Sequence, residues 1–393
     1  MNTYLKLSII SLIGLTVAAC GRDNNSLVAP PGPSGGGASG GAGDTGNGET
    51  GPMGMNFLSN FPTGEIFSGG VPRDGIPALT DPNFVNLTSS GASYLSDDDI
   101  VLGVIINGEA KAYPHNIGWW HEIVNDVVGG QPIVVSLCPL TSTGMVFNGR
   151  GEAGERIHCG VSGLLFINNL IMYDRRDGDT LYPQMLGAGI SGQRAGGELE
   201  LLPVIETTWR YWKRLYPNSK VVSSSTGIYS SGSYSSNRYP YGNYRSANTP
   251  PLFSISSGLV ENAPNRSFAT KDMTLGIRFG ESAKAYPFVS MDDQAVINDT
   301  VAGNPIVVTF YREEQFAVPF SRTVDNQDHT FQKIVYNDPL YPFLMRDDET
   351  SSTWNLKGEA VSGPLQGQKL TRIPSHNAFW FAWAAFWQDT QIF

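Results

Sequence analysis

AKAYPHNIGWWHEIVNDVVGGQPIVVSLCP, residues 110–139, comes back later in the chain as AKAYPFVSMDDQAVINDTVAGNPIVVTFYR, residues 283–312. The two stretches align without a gap at an offset of 173. They share Ala110-Lys-Ala-Tyr-Pro114 with Ala283-Lys-Ala-Tyr-Pro287, Asn125-Asp126 with Asn298-Asp299, Gly130 with Gly303, and Pro132–Val135 with Pro305–Val308. A second match, at an offset of 171, sets WRYWKRLYPNSKVV from Trp209 against WFAWAAFWQDTQIF from Trp380. Self-similarity of this length predicts a duplicated domain rather than a short solenoid repeat.

Within each copy the pattern is that of a sheet. Ile100–Ile106 and Ala110–Tyr113 are β-type runs joined at Asn107-Gly108, a hairpin signal. Ile133–Leu137 is an almost continuous apolar strand, and Gly144–Phe147, Arg156–Cys159 and Leu170–Tyr173 are further candidates. Asn125-Asp126 ahead of Gly129-Gly130 reads as a connection between strands. Trp209, Trp212, Leu215 and Tyr216 fall on one face of a helix, as do Trp380, Trp383, Phe386 and Trp387. The expectation is an α+β, β-rich fold of two homologous antiparallel-sheet repeats, each closed by a C-terminal aromatic helix. Helices so apolar should pack the repeats together.

Ahead of the repeats, Lys6 and the apolar run LSIISLIGLTVAAC read as an export signal too short to span a bilayer. Leu15-Thr-Val-Ala-Ala-Cys20 resembles a lipobox, which implies cleavage before Cys20 and lipid on its thiol. Gly21 rather than Asp follows it, which favours the outer membrane in a Gram-negative cell. Residues 24–56 are Gly, Ser, Pro and Asn with few apolar side chains, too few to offset the entropy of ordering. A tether of that length spans roughly 30 Å.

The domain plan is a signal peptide at 1–19, a lipidated Cys and tether at 20–56, and a repeat-one domain at 57–222. A Tyr/Ser-rich connection at 223–273 leads to a repeat-two domain at 274–393. In the connection, Tyr239-Pro-Tyr-Gly-Asn-Tyr244 could line a groove by stacking, or simply pack on the domains. The formal net charge is −10, and −11 once Lys6 is cleaved away with the leader. An acidic chain without a basic stripe argues against nucleic acid as a partner.

The duplication also sorts structure from chemistry. Polar residues present in both copies serve the common fold, while those in one copy only are candidates for function. His121 stands opposite Gln294, Glu122 opposite Ala295 and Cys138 opposite Tyr311, so the candidate site lies in repeat one.

Thiolate and imidazole together suit copper or zinc, with Met145, Met172 or Glu122 completing the shell around His121 and Cys138. The same pair could instead form a catalytic nucleophile with a base, the imidazole oriented by Glu122 or Asp126. Alternatively, Cys138 and Cys159 form a disulfide closing a loop of about twenty residues, valued at ~3 kcal/mol in the chain-entropy model. In the plainest reading Cys138 packs as a small buried hydrophobe and His121 and Glu122 bond the loop. His329 and His376 look isolated, His376 as a polar residue in the first turn of the last helix.

AYPHNIGWWHEIVNDVVGG, CPLTSTGMVF, GVSGLLFINNLIMYDR and the terminal FWFAWAAFWQDT together resemble the bacterial DUF3179 family over roughly residues 80–393. The resemblance implies an exported or lipoprotein-anchored protein without an assigned activity. Members often read Cys-Pro-Leu-Cys where this chain has Cys138-Pro-Leu-Thr141, so a two-thiol redox pair or metal site cannot form at that motif here.

The first expectation is therefore a membrane-anchored cell-envelope lipoprotein, facing the periplasm or the surface. It would bind a small ligand, soft metal or envelope component at His121 and Cys138. A cysteine-dependent enzyme acting on envelope substrates and a structural or interaction protein are the alternatives.

Overall fold

The structure, a computed structural model, describes residues 57–59, 61–255, 268–336, 338 and 340–393. Cys20, the leader, the tether and part of the connection lie outside the described residues. Those described are β-rich, with three short α-helices. None of the helices is long and apolar enough to cross a membrane.

The first half runs β1 (Ile66–Ser68), β2 (Leu79–Thr80), β3 (Phe84–Asn86), β4 (Ile100–Ile106), β5 (Glu109–Pro114), α1 (His115–His121), β6 (Ile123–Val128) and β7 (Gln131–Cys138). It continues through β8 (Thr143–Asn148), β9 (Cys159–Phe166), β10 (Asn169–Asp174), β11 (Leu181–Pro183), β12 (Leu201–Leu202), β13 (Ile205–Thr208), α2 (Trp209–Leu215) and β14 (Lys220–Val222). Three sheets result, in the orders β13-β4-β5-β14-β3, β12-β8-β7-β6-β2 and β1-β9-β10-β11. Their neighbours are antiparallel apart from β14 on β5 and β2 on β6.

The second half opens with β15 (Met273–Phe279), β16 (Ser282–Pro287), β17 (Gln294–Val301), β18 (Asn304–Tyr311) and β19 (Phe316–Ser321). The short β20 (Thr323–Val324) and β21 (Gln327–Asp328) follow, then β22 (Phe331–Val335), β23 (Phe343–Asp347), β24 (Thr353–Trp354) and β25 (Ala360–Ser362). It ends with β26 (Ser375–Phe379), α3 (Trp380–Phe386) and β27 (Gln391–Ile392). The sheets here include β26-β15-β16-β27 and β17-β18-β19.

Local chemistry explains the shared elements. The β4–β5 hairpin pairs Val101 with Pro114 and β15–β16 pairs Thr274 with Pro287. Asn107 and Gly108 turn the first hairpin with φ of 48° and 83°, the doubly positive turn that matches strand twist. Asn125 and Asp126 are not in a turn: they lie within β6, and Gly129-Gly130 carries the reversal. Their side chains hold neighbouring strands instead. Asp126 accepts from Lys111 at 2.9 Å and Tyr113 at 2.5 Å, and Asp299 from Lys284 at 2.6 Å and Tyr286 at 2.7 Å. Asn125 brackets the main chain of Cys159, and Asn298 that of Phe331.

Each aromatic helix sits on its own hairpin where a glycine admits it. A Cβ on Gly103 would land in the Trp212 ring, and one on Gly276 in the Trp383 ring. The indole N–H of Trp212 donates to Ser219 and that of Trp383 to Thr390. The helices then reach across the molecule. Trp209 and Trp212 share a core with Val307, Phe316 and Phe320, while Trp380 and Trp383 share one with Met145, Phe147 and Met185. The Phe379 N–H donates to the Thr141 carbonyl, and the Thr207 hydroxyl to that of Glu314.

Two smaller expectations fail. The strand expected at Arg156–Cys159 begins only at Cys159. His376 is not in the helix but inside β26, buried, with neither ring nitrogen hydrogen-bonded.

Candidate functional site

His121 ends α1 and is wholly buried. Its Nδ1 lies 2.6 Å from the Pro77 carbonyl and its Nε2 2.7 Å from the Tyr234 hydroxyl. A carbonyl only accepts, so Nδ1 carries the proton and Nε2 accepts from the tyrosine. Burial holds the imidazole at about 4, hence neutral at ordinary pH. Both nitrogens are spoken for. That corrects the pairing of His121 with Cys138, as metal ligands or as base and nucleophile: His121 pins the Tyr-rich connection to the fold.

Glu122 follows in a strained backbone, φ 56° and ψ −33°, where the chain turns from α1 into β6. Its carboxyl accepts from the Tyr241 hydroxyl at 2.9 Å, and burial pushes it up to about 7 against that bond. The tyrosines of the connection are thus neither loose nor merely surface-packed. Tyr234, Tyr241 and Tyr244 are buried, and the first two grip His121 and Glu122.

Cys138 ends β7 with 1 % of its surface exposed. Its sulfur accepts the Leu170 N–H at 3.3 Å and donates to the Asn168 carbonyl at 3.7 Å. Burial, reinforced by nearby Glu122, pushes the thiol up to about 11, so it is protonated. Cys138 and Cys159 are both free. Cys138 sits where β10 begins, whereas Cys159 pairs with Asp174 at its far end. Four strand steps are roughly 13 Å, well beyond the ~7 Å reach of a disulfide between Cα atoms. The expected bridge is therefore corrected to two separate thiols.

Cys138 has a different partner in its surroundings. It lines a cavity of about 170 Å³ together with His115, Trp119, Ser142, Tyr239 and Arg245. Phe379 closes the cavity from the second half. Trp119 and Tyr239 meet edge to face at 5.1 Å, with the Arg245 guanidinium 5.2 Å and 4.8 Å from their ring centres. That wall is a cation held on two π-faces. Asp98 and Asp99 also border the cavity.

His115, the first residue of α1, has a buried Nε2 with no hydrogen-bond partner. Glu206 Oε1 lies 3.7 Å from it, too long for a hydrogen bond. Burial lowers the imidazole to about 3 and raises the Glu206 carboxyl to about 8, the latter against an Asn377 hydrogen bond. The contact is therefore between neutral groups, not an ion pair. A cavity with a protonated thiol, an unengaged neutral imidazole and a stacked guanidinium can hold a small polar molecule. It presents no thiolate for attack or for metal.

His115 was not among the site residues expected from the sequence, although at the 173 offset it stands opposite Phe288. Glu206, at the 171 offset, corresponds to Asn377, the residue it touches across the molecule. Among the described residues the one group of three that could hold a metal is His329, Asp347 and Glu349. His329 is thus not isolated: Nδ1 lies 3.4 Å and 3.6 Å from the two carboxylates. Those carboxylates already accept from Thr350 and Thr330, which makes the group a clasp between β22 and β23.

The family model that matches the chain is that of a protein of unknown function, DUF3179, over residues 73–390. No curated protein and no solved structure matches it.

Proposed function

The chain belongs to the DUF3179 family, and from that premise, which carries no activity, we propose a membrane-anchored ligand-binding lipoprotein of the bacterial cell envelope. Its ligand is a small polar molecule seated between Cys138 and His115 under the Trp119–Tyr239–Arg245 wall. One observation carries this reading. Two residues that line the cavity, His115 and Cys138, have bulky aromatic counterparts in the second half, Phe288 and Tyr311.

We read the chain as a duplicated unit with one working copy. Supporting this are the matched hairpin registers, the paired Asp126 and Asp299 networks, and glycine under tryptophan in both halves, each followed by an aromatic helix that closes its unit. Binding is favoured over cysteine-dependent catalysis because the buried thiol is held well above its ordinary pKa. An organic ligand is favoured over copper or zinc because His121 has no free nitrogen and, among the described residues, the donors that line the cavity are not gathered closely enough to hold an ion.

A ligand-observed NMR screen of small polar fragments on the full-length protein tests the site. Hits should bind the wild type and lose binding in His115→Phe and Cys138→Ser, both still folded. Hits that bind all three proteins equally would sink the proposal. The anchor rests on Leu15–Cys20. Cells expressing Cys20→Ser should show no fatty-acid label on the protein, and normal labelling would refute lipidation.

A further inference from the structure

A second cavity, of about 550 Å³, lies between the halves and belongs to neither the first site nor its tyrosines. Its size is that of a small-molecule pocket. Met145, Phe147 and Met185 of the first half form an apolar floor, and His376 and Arg278 of the second half face it.

Both polar groups lack the partners their burial demands. His376 is 4 % exposed, and neither ring nitrogen has a hydrogen bond. A buried imidazole leaves both nitrogens empty only at a cost unless something else supplies the bonds. Arg278 forms no ion pair among the described residues. Its Nε is buried without a partner, and only one terminal nitrogen reaches a carbonyl, that of Gly280 at 3.3 Å. Each group is instead laid against an indole. The guanidinium sits 3.7 Å over the Trp387 ring, and the imidazole centre is 5.3 Å from that of Trp383. Burial lowers the guanidinium to about 10, only partly opposed by the charge of Glu198, and the charge of Arg278 adds to what holds His376 neutral.

A half-buried guanidinium held on an indole, beside an imidazole that can donate, calls for a carboxylate. The mouth has the opposite character: exposed Glu198 and Glu281 line it. A plain fatty acid would satisfy Arg278 and be repelled at the mouth. A molecule with an ammonium a few ångströms from its carboxylate satisfies both ends, and its side chain meets the methionines. We propose that this cavity binds a small apolar zwitterion of amino-acid type, a free amino acid or a dipeptide. Its carboxylate lies on Arg278 and His376, its ammonium at Glu198 and Glu281, and its side chain on Met145, Phe147 and Met185.

Calorimetric titration of the full-length protein with L-methionine, L-phenylalanine and the dipeptide Met-Phe tests this, with tryptophan fluorescence as a second readout because Trp383 and Trp387 line the polar groups. At least one zwitterion should bind saturably, and the free acid or the dipeptide binding more tightly identifies the source. Its methyl ester and its N-acetyl form should bind roughly thirtyfold or more weakly, as should Arg278→Gln towards the parent compound. His115→Phe should bind it unchanged, since the first cavity is not involved. Absence of saturable binding by all three zwitterions, or esters and N-acetyl forms binding as tightly as the parent, overturns the proposal. If Arg278→Gln fails to fold, the ester and acetyl comparison on the wild type decides alone.

Discussion

At the scale of single side chains, Glu206 lies buried 3.7 Å from His115 of the first cavity. Glu206 has a folded pKa of about 8 against an ordinary value near 4.5. The native state therefore keeps a proton that the unfolded chain releases. The corresponding stability is fully present below about 4.5 and is lost as pH rises to about 8. Glu206→Gln has no proton to lose. Its stability relative to wild type should rise by roughly a few kcal/mol between pH 4.5 and 8. Denaturant unfolding of both proteins across that window checks it, and a pH-independent difference would show that the carboxyl ionises in the fold. The sequence offered His115 through its contrast with Phe288, yet His121 and Glu122 drew attention by the same contrast. Opposition between the two matched stretches finds what differs and not what faces a cavity. His121 differs because it holds Tyr234, which Gln294 is not asked to do.

At the scale of elements, the hairpin at Asn107-Gly108 and the two aromatic helices were legible because turn chemistry and a 3.6-residue period are local signals. The seven residues of α1 gave no such signal: they span barely two turns after Pro114 and are buried on nearly every side. The start of β9 was misplaced because Gly160 and Gly163 interrupt its apolar run. What no periodicity could supply is the seating of each helix on a glycine. Gly103→Ala puts a methyl into the Trp212 ring and should cost about 3 kcal/mol through forced repacking. Gly276→Ala should cost the same through Trp383. Thermal unfolding of both variants measures it, and a loss confined to one would break the equivalence of the two seats.

For the whole molecule, the halves exchange contacts reciprocally: each aromatic helix shares a core with the opposite half, the Phe379 N–H donates to the Thr141 carbonyl, and the Thr207 hydroxyl donates to the Glu314 carbonyl. The sequence foretold that the halves pack together, from the apolar helices alone. It could not foretell that Phe379 would cross over to close the cavity at Cys138, because that placement depends on how the halves meet. The cavity is therefore lined from both halves, Phe379 standing among residues of the first.

That gives Cys138 a use as a probe, since it is the thiol lining the cavity while Cys159 is sealed at the far end of β10. Full-length Cys20→Ser protein can be equilibrated with a library of small disulfides, each capture by exchange releasing one thiol, for long enough that the minor thiolate form of Cys138 reacts, and read by mass spectrometry. The account predicts disulfide capture at Cys138 only, of a chemically selective subset of polar thiols, with the selectivity lost in His115→Phe. Capture at Cys159 as readily as at Cys138, or the same indiscriminate set in wild type and His115→Phe, would contradict a ligand site between His115 and Cys138.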